Sequence, residues 1–172
     1  MLRRVLPPAL LVLITTIISF SQNMGELEKR NGFKDIKLGM IVDSLKGTRL
    51  KKEFKEREEF PAKLYSVEGT EYANIGETKV SKVDVKAYKD LIYEINVITS
   101  KDPRLMKALE SIYGKADYDL KRETYFWKSE NLILKFRSHS KSQLELVYIS
   151  YPVLKQMKAD KDQKIDDIAD GL

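Results

Sequence analysis

Cysteine is absent from this chain, and histidine occurs once, at His139. The first shortage removes thiol catalysis, thiolate metal sites and disulfides together. The second removes three-histidine zinc sites and leaves a serine triad only His139 to use, with no nucleophile elbow around any serine. His139 lies between Ser138 and Ser140 in a polar stretch; weighed as a general base, it reads instead as an exposed loop residue. Glycine is sparse, 8 residues in 172. Gly69, Gly76 and Gly114 stand singly as turn or cap positions, so a glycine-rich phosphate cradle is missing too. No cofactor and no metal site are expected. The acidic run Asp160 to Asp170 offers no exception, because it has Ile165 and Gly171 where a calcium loop needs glycine and glutamate.

Charge of one sign is also lacking. Lys and Arg number 31 against 26 acidic residues, a formal net charge of +5. With Arg3 and Arg4 set aside as part of a leader, 29 basic residues face the same 26 acidic ones, about +3. Opposite signs alternate, as in Lys51-Lys52-Glu53 and Arg57-Glu58-Glu59, and never form a stripe that would follow phosphates. Nucleic acid is therefore not an expected partner.

What is present begins with an address. Arg3 and Arg4 precede an apolar run from Ala9 to Phe20, and Ser19-Phe20-Ser21 offers small residues where a signal peptidase inspects the chain. This pattern predicts a signal peptide over 1–21 with cleavage before Gln22, and a periplasmic or secreted protein. The run is short for a membrane span and Pro7-Pro8 interrupts its start, so the exported chain is not expected to be transmembrane. Without cysteine, no lipid anchor can form at the cleavage point. Taking 21 residues from 172 leaves 151, enough for one domain to bury a core without staples. The expected organisation is a flexible leader over 22–32, a single domain over 33–154, and a charged helical or disordered tail over 155–172.

Within the domain, Phe33 to Leu38 alternates as a short strand before Gly39-Met40. Ile41 to Phe60 reads as mainly helical, from the Val42/Leu45 and Leu50/Phe54 spacings and the Glu53/Arg57 pair, with Gly47-Thr48 as a break and Pro61 as the stop. Lys63 to Val67, Tyr72 to Ile75, Val80 to Tyr88 and Leu91 to Thr99 read as strands. Keeping Val83, Val85 and Ala87 on one face with Leu91, Tyr93 and Ile95 favours a three-residue loop, Tyr88 to Asp90, pairing Val85 with Tyr93. Asp102-Pro103 opens a helix carrying Leu105, Leu109 and Ile112 on one stripe, and Gly114 ends it. Strands follow over Glu123 to Trp127, Leu132 to Arg137 and Leu144 to Tyr151, with Ser138 to Ser142 as a polar joint. The sum is α+β: a mainly antiparallel sheet with helices packed on one face, in two α-then-β halves.

Two stretches carry a resemblance: Phe33-Lys34-Asp35-Ile36-Lys37-Leu38-Gly39-Met40, and Leu109-Glu110-Ser111-Ile112-Tyr113-Gly114-Lys115 closing a helix before a hairpin. With them, the layout over Phe33 to Tyr151 resembles small exported bacterial proteins related to the β-lactamase-inhibitor-protein-like group. It is also similar in layout to the small lipoprotein of the outer-membrane β-barrel assembly machine, whose lipid-bearing cysteine this chain lacks. The resemblance implies a fold and a habit of binding proteins, and assigns no site residue.

Function then rests on what the strands carry. Tyr72, Tyr88, Tyr93, Tyr125, Phe126, Trp127, Phe136, Tyr148 and Tyr151 are either core or an interface patch, and core is the expectation. The primary reading is an exported, non-enzymatic protein that binds another protein or an envelope component, with no catalytic residue assigned and its binding residues unknown. Abundant Asp and Glu leave a carboxylate-based hydrolase as one alternative. A small-ligand or lipid carrier is another, and it requires an apolar cavity between helix and sheet.

Overall fold

The computed structural model describes residues 23–171; the signal segment expected over 1–21 lies outside the described residues. The chain opens with α1 (Met24–Arg30), which Asn23 caps by accepting from the Glu26 N–H at 3.2 Å. The stretch expected to be a loose leader is thus largely helical, because Leu27 is buried in the main core and ties it down. A tiny hairpin follows, β1 (Gly32–Phe33) with β2 (Ile36–Lys37). Gly32 is required there: its φ is +144°, and a Cβ would sit 2.2 Å from the Ile36 carbonyl oxygen.

The helix expected over Ile41 to Phe60 is instead a 3-10 turn, Val42–Ser44, and a hairpin of β3 (Thr48–Glu56) and β4 (Phe60–Val67). Charge pairs four apart are equally compatible with a strand, so that signal was not diagnostic. β3 is an edge strand, charged along its length and bulged between Leu50 and Lys52, the features that protect an edge from pairing. Pro61 is tolerated inside β4 because pairing with the next strand begins only at Lys63.

Tyr72 lies in a second 3-10 turn, and β5 is only Asn74–Ile75. Then come the long arms β6 (Thr78–Tyr88) and β7 (Leu91–Ser100). Their loop has two residues, not three: Tyr88 pairs with Leu91, and Lys89 and Asp90 both take positive φ, +47° and +63°, as a two-residue hairpin turn requires. Parity is then restored by a bulge at Tyr93, so that Val85 opposes Ile95 and Val83 opposes Val97. Val83, Val85 and Ala87 then share the main core with Ile92, Ile95 and Val97, whereas Tyr93 and Leu91, expected on that face, pack on the opposite one.

Helix α2 (Arg104–Tyr113) forms where expected. Asp102 Oδ1 accepts from the Arg104 N–H at 2.9 Å, and Gly114 ends the helix at φ +78°. After it run β8 (Asp117–Asp119), not foreseen, then β9 (Thr124–Lys128), β10 (Leu132–Ser140) and β11 (Gln143–Ser150). His139 therefore lies on a strand end rather than in a loop. Pro152 occupies the first turn of α3 (Tyr151–Asp170), whose Ser150 cap accepts from the Val153 N–H.

All strands pair antiparallel in the order β3-β4-β6-β7-β11-β10-β9-β8, with β5 added beside β6. The fold is α+β. Its two halves meet where β7 pairs β11, from Ser100 opposite Gln143 to Glu94 opposite Ile149. Helices α1 and α2 share one face and its large apolar core, whereas α3 takes the other face, with Val153 and Met157 against Tyr88, Tyr93 and Ala62. The tail expected over 155–172 is helical through Asp170, buried at Met157 and exposed at Ile165 and Ile168. Among the described residues, no helix is long and apolar enough to cross a membrane.

Candidate functional site

Most of the aromatic load is interior. Tyr72, Tyr88, Tyr93, Phe136 and Tyr148 are buried, and Trp127 is 1% exposed, its Nε1 donating to the Gly114 carbonyl at 2.7 Å. The outward exceptions cluster on one edge: Tyr118 and Tyr125, 44% and 40% exposed, with ring centroids 4.6 Å apart, next to Leu120 at 82%.

The residues considered for catalysis are not assembled for it. His139 Nδ1 is 4.0 Å from Glu145 Oε1 on the exposed end of β10, with no nucleophile against it. Two carboxylates do converge, since Glu56 and Glu94 lie 3.3 and 3.1 Å from Lys86 Nζ. Lys86 bridges the pair. Burial would raise the Glu56 pKa, but the Tyr93 hydroxyl, donating at 2.6 Å, and the Lys86 ammonium outweigh it and hold the value below the ordinary one. Glu145 behaves alike: burial is overcome by Arg137 Nε at 2.5 Å and the Asn96 amide at 2.7 Å. A glycosidase-type acid needs a carboxyl raised above its usual range; these are lowered. No group of three His, Asp or Glu side chains able to hold a metal is found among the described residues.

A different arrangement occupies the helix side of the sheet. The β11 alternation that points Leu146 and Tyr148 toward α2 makes a floor, and the α2 stripe of Leu105, Leu109 and Ile112 makes one wall. The second wall is the β1–β2 hairpin, through Gly32 and Phe33, together with Ile75 of β5. These surfaces leave a cleft of about 280 Å³ between helix and sheet. Its polar groups are few. Arg30, Lys34 and Lys37 stand at the mouth, and the tyrosines Tyr113 and Tyr148 complete the lining. Burial raises the pKa of both tyrosines, so both hydroxyls stay protonated at neutral pH. An apolar concavity with a few polar groups is the usual form of a small-molecule site. The wider depression over β3, β4 and the 88–90 loop mixes Phe54, Pro61, Ala62 and Ala87 with five charged residues, Glu53, Lys55, Lys63, Lys89 and Asp90.

No site residue was assigned from sequence, and the cleft residues went unmarked. The signal available was indirect. The two stretches that carried the layout resemblance, Phe33 to Met40 and Leu109 to Lys115, supply opposite walls of this cleft through Phe33, Lys34 and Lys37 and through Leu109, Ile112 and Tyr113.

No family model, no curated protein and no solved structure matches this chain.

Proposed function

We propose that this protein is a non-enzymatic binding domain, acting outside the cytoplasm, that holds a small amphipathic ligand between α2 and the sheet. The observation that carries the reading is the apolar cleft of about 280 Å³ between α2 and the sheet, with Tyr113 and Tyr148 in its lining. An engineered 150 Å³ apolar cavity is known to admit benzene, so the space here suits about ten heavy atoms. A binding role through a broad aromatic sheet face has less to work with, because those rings are core and the exposed ones are confined to the Tyr118, Leu120 and Tyr125 edge. The carboxylate-hydrolase alternative has less to work with, because burial at Glu56 and Glu145 is outweighed by hydrogen bonds and nearby cations that hold their pKa values below the ordinary one.

The chain's single tryptophan supplies the readout. Trp127 packs on Tyr113 with ring centroids 6.0 Å apart, so an occupant of the cleft changes its emission. Titration with 1-octanol or octanoate is expected to shift that emission saturably. Ala108→Phe, which sets a ring over the cleft from the exposed side of α2, is expected to abolish the shift while costing stability no more than the ~0.5 kcal/mol difference in helix propensity. If neither compound binds, or if binding is indifferent to Ala108→Phe, the cleft is not the site.

A further inference from the structure

Two ammonium groups at the cleft mouth carry charge that the described residues leave unneutralised. Lys34 Nζ donates to the carbonyls of Glu71 and Asn74, at 2.8 Å to the second. Lys37 Nζ donates to the carbonyls of Arg30 and Lys34, at 2.8 and 2.5 Å. Carbonyls orient an ammonium without cancelling its charge, and each ammonium has three donors. Among the described residues neither lysine forms an ion pair. What sets these two apart is their place beside the apolar cleft, whose lining contains no Asp or Glu. The acids around the mouth are engaged with other groups, Asp35 with the Tyr72 hydroxyl at 2.9 Å and Glu26 with Lys29 and Arg30.

Lys34 lies in the two-residue turn between β1 and β2 and takes φ +55° there, a value such hairpin turns call for. The two lysines are thus held in fixed positions, pinned to opposite backbone segments, beside an apolar floor.

We propose that the ligand of this cleft is a single-chain anionic amphiphile, an alkanoate or aryl-alkanoate of about ten heavy atoms. Its carboxylate lies against Lys34 and Lys37, and its tail runs along Leu109, Ile112 and Leu146. The inference rests on the cleft being the binding site and adds the sign of the headgroup. A diacyl lipid is too large for the volume. Arg30 and the two protonated tyrosine hydroxyls offer further donors to the acid group.

The test compares three probes of equal tail on the purified protein: octanoate, 1-octanol and octylammonium, followed by Trp127 emission and by calorimetry. Charge-assisted hydrogen bonds at the mouth are expected to make octanoate bind about tenfold more tightly than octanol, with octylammonium weakest and the advantage shrinking as salt is raised. Lys37→Gln combined with Lys34→Gln is expected to erase the advantage of octanoate over octanol. The probe series on the unaltered protein stands by itself should that variant fold poorly. Octanol binding as well as octanoate, or octylammonium binding best, overturns the anionic headgroup while the cleft survives as a site. Binding of none of the three removes the site itself.

Discussion

The two faces of one sheet are built on opposite terms. Toward α1 and α2, strands β6, β7, β10 and β11 present Val83, Val85, Ile95, Val97, Leu134 and Leu146, all buried in a single apolar core. The reverse face of the same strands carries Asp84, Lys86, Glu94, Asn96 and Glu145, and α3 covers only the end around Tyr88 and Tyr93. Alternation along a strand explains how both faces coexist. The energetics differ in kind. Burial on the helix side is non-directional and proportional to the apolar area removed from water. On the reverse face each side chain depends on a named partner, and misses are costly: Asp84 Oδ1 and Asn96 Oδ1 are buried with no partner among the described residues.

The largest expected effect tests that asymmetry directly. Leu134, fully buried in the apolar core, should cost about 2–5 kcal/mol on replacement by alanine, from lost transfer energy plus the cavity left behind. Glu145→Ala on the reverse face should cost about 1–2 kcal/mol, because the Asn96 amide loses its acceptor while Arg137, 48% exposed, regains water. Urea midpoints of the two variants check the order. Equal losses would mean that the charged face holds the fold as strongly as the apolar one, and the distinction would fall.

Acid sharpens the same contrast. The Glu145 pKa is held below its ordinary value of 4.5. A carboxylate depressed in the folded state contributes stability above the unfolded value, and that contribution is lost as pH falls through the lower folded one. Glu56 follows the same sign. Stability should therefore decline on acidification below about pH 5, and Glu145→Gln should flatten the decline, whereas Leu134→Ala should shift the curve down without changing its shape. A Glu145→Gln profile parallel to the unaltered protein's would place the acid-sensitive groups elsewhere.

How far these features could be read from residues alone depends on which signal was unique. The α2 helix was legible because Asp102-Pro103, the Leu105/Leu109/Ile112 stripe and Gly114 agree with one another. The β6–β7 hairpin was legible beyond Glu94 but not near its loop, since a two-residue turn with a bulge at Tyr93 gives Ile95 and Val97 the facing a three-residue turn would, yet reverses Leu91 and Tyr93. Thr48 to Glu56 misled because an edge strand is allowed charges on both faces, which blurs the period-2 pattern, and because Glu53 and Arg57 suit either conformation. The cleft was invisible for another reason. Lys34 and Lys37 look like ordinary solvated lysines until the fold brings the β1–β2 hairpin across from α2, and their place beside the cleft is a property of three dimensions only.

The smallest effect concerns the turn that sends neighbouring residues to opposite faces. Past Lys89-Asp90, Ile92 enters the helix-side core and Tyr93 the α3 side, so the two-residue turn and the bulge together set the division. Asp90 holds φ +63° with a Cβ that this region disfavours. Asp90→Gly removes that strain and keeps the carbonyl that accepts from the Val42 N–H at 2.8 Å. It gives up an exposed ion pair to Lys63 at 3.3 Å, a contact of the kind that contributes little. The expected outcome is a gain of about 0.5–1 kcal/mol in chemical denaturation, with Trp127 emission unchanged. A loss of stability would show instead that the aspartate side chain, and not the turn's backbone, fixes the register that separates the two faces.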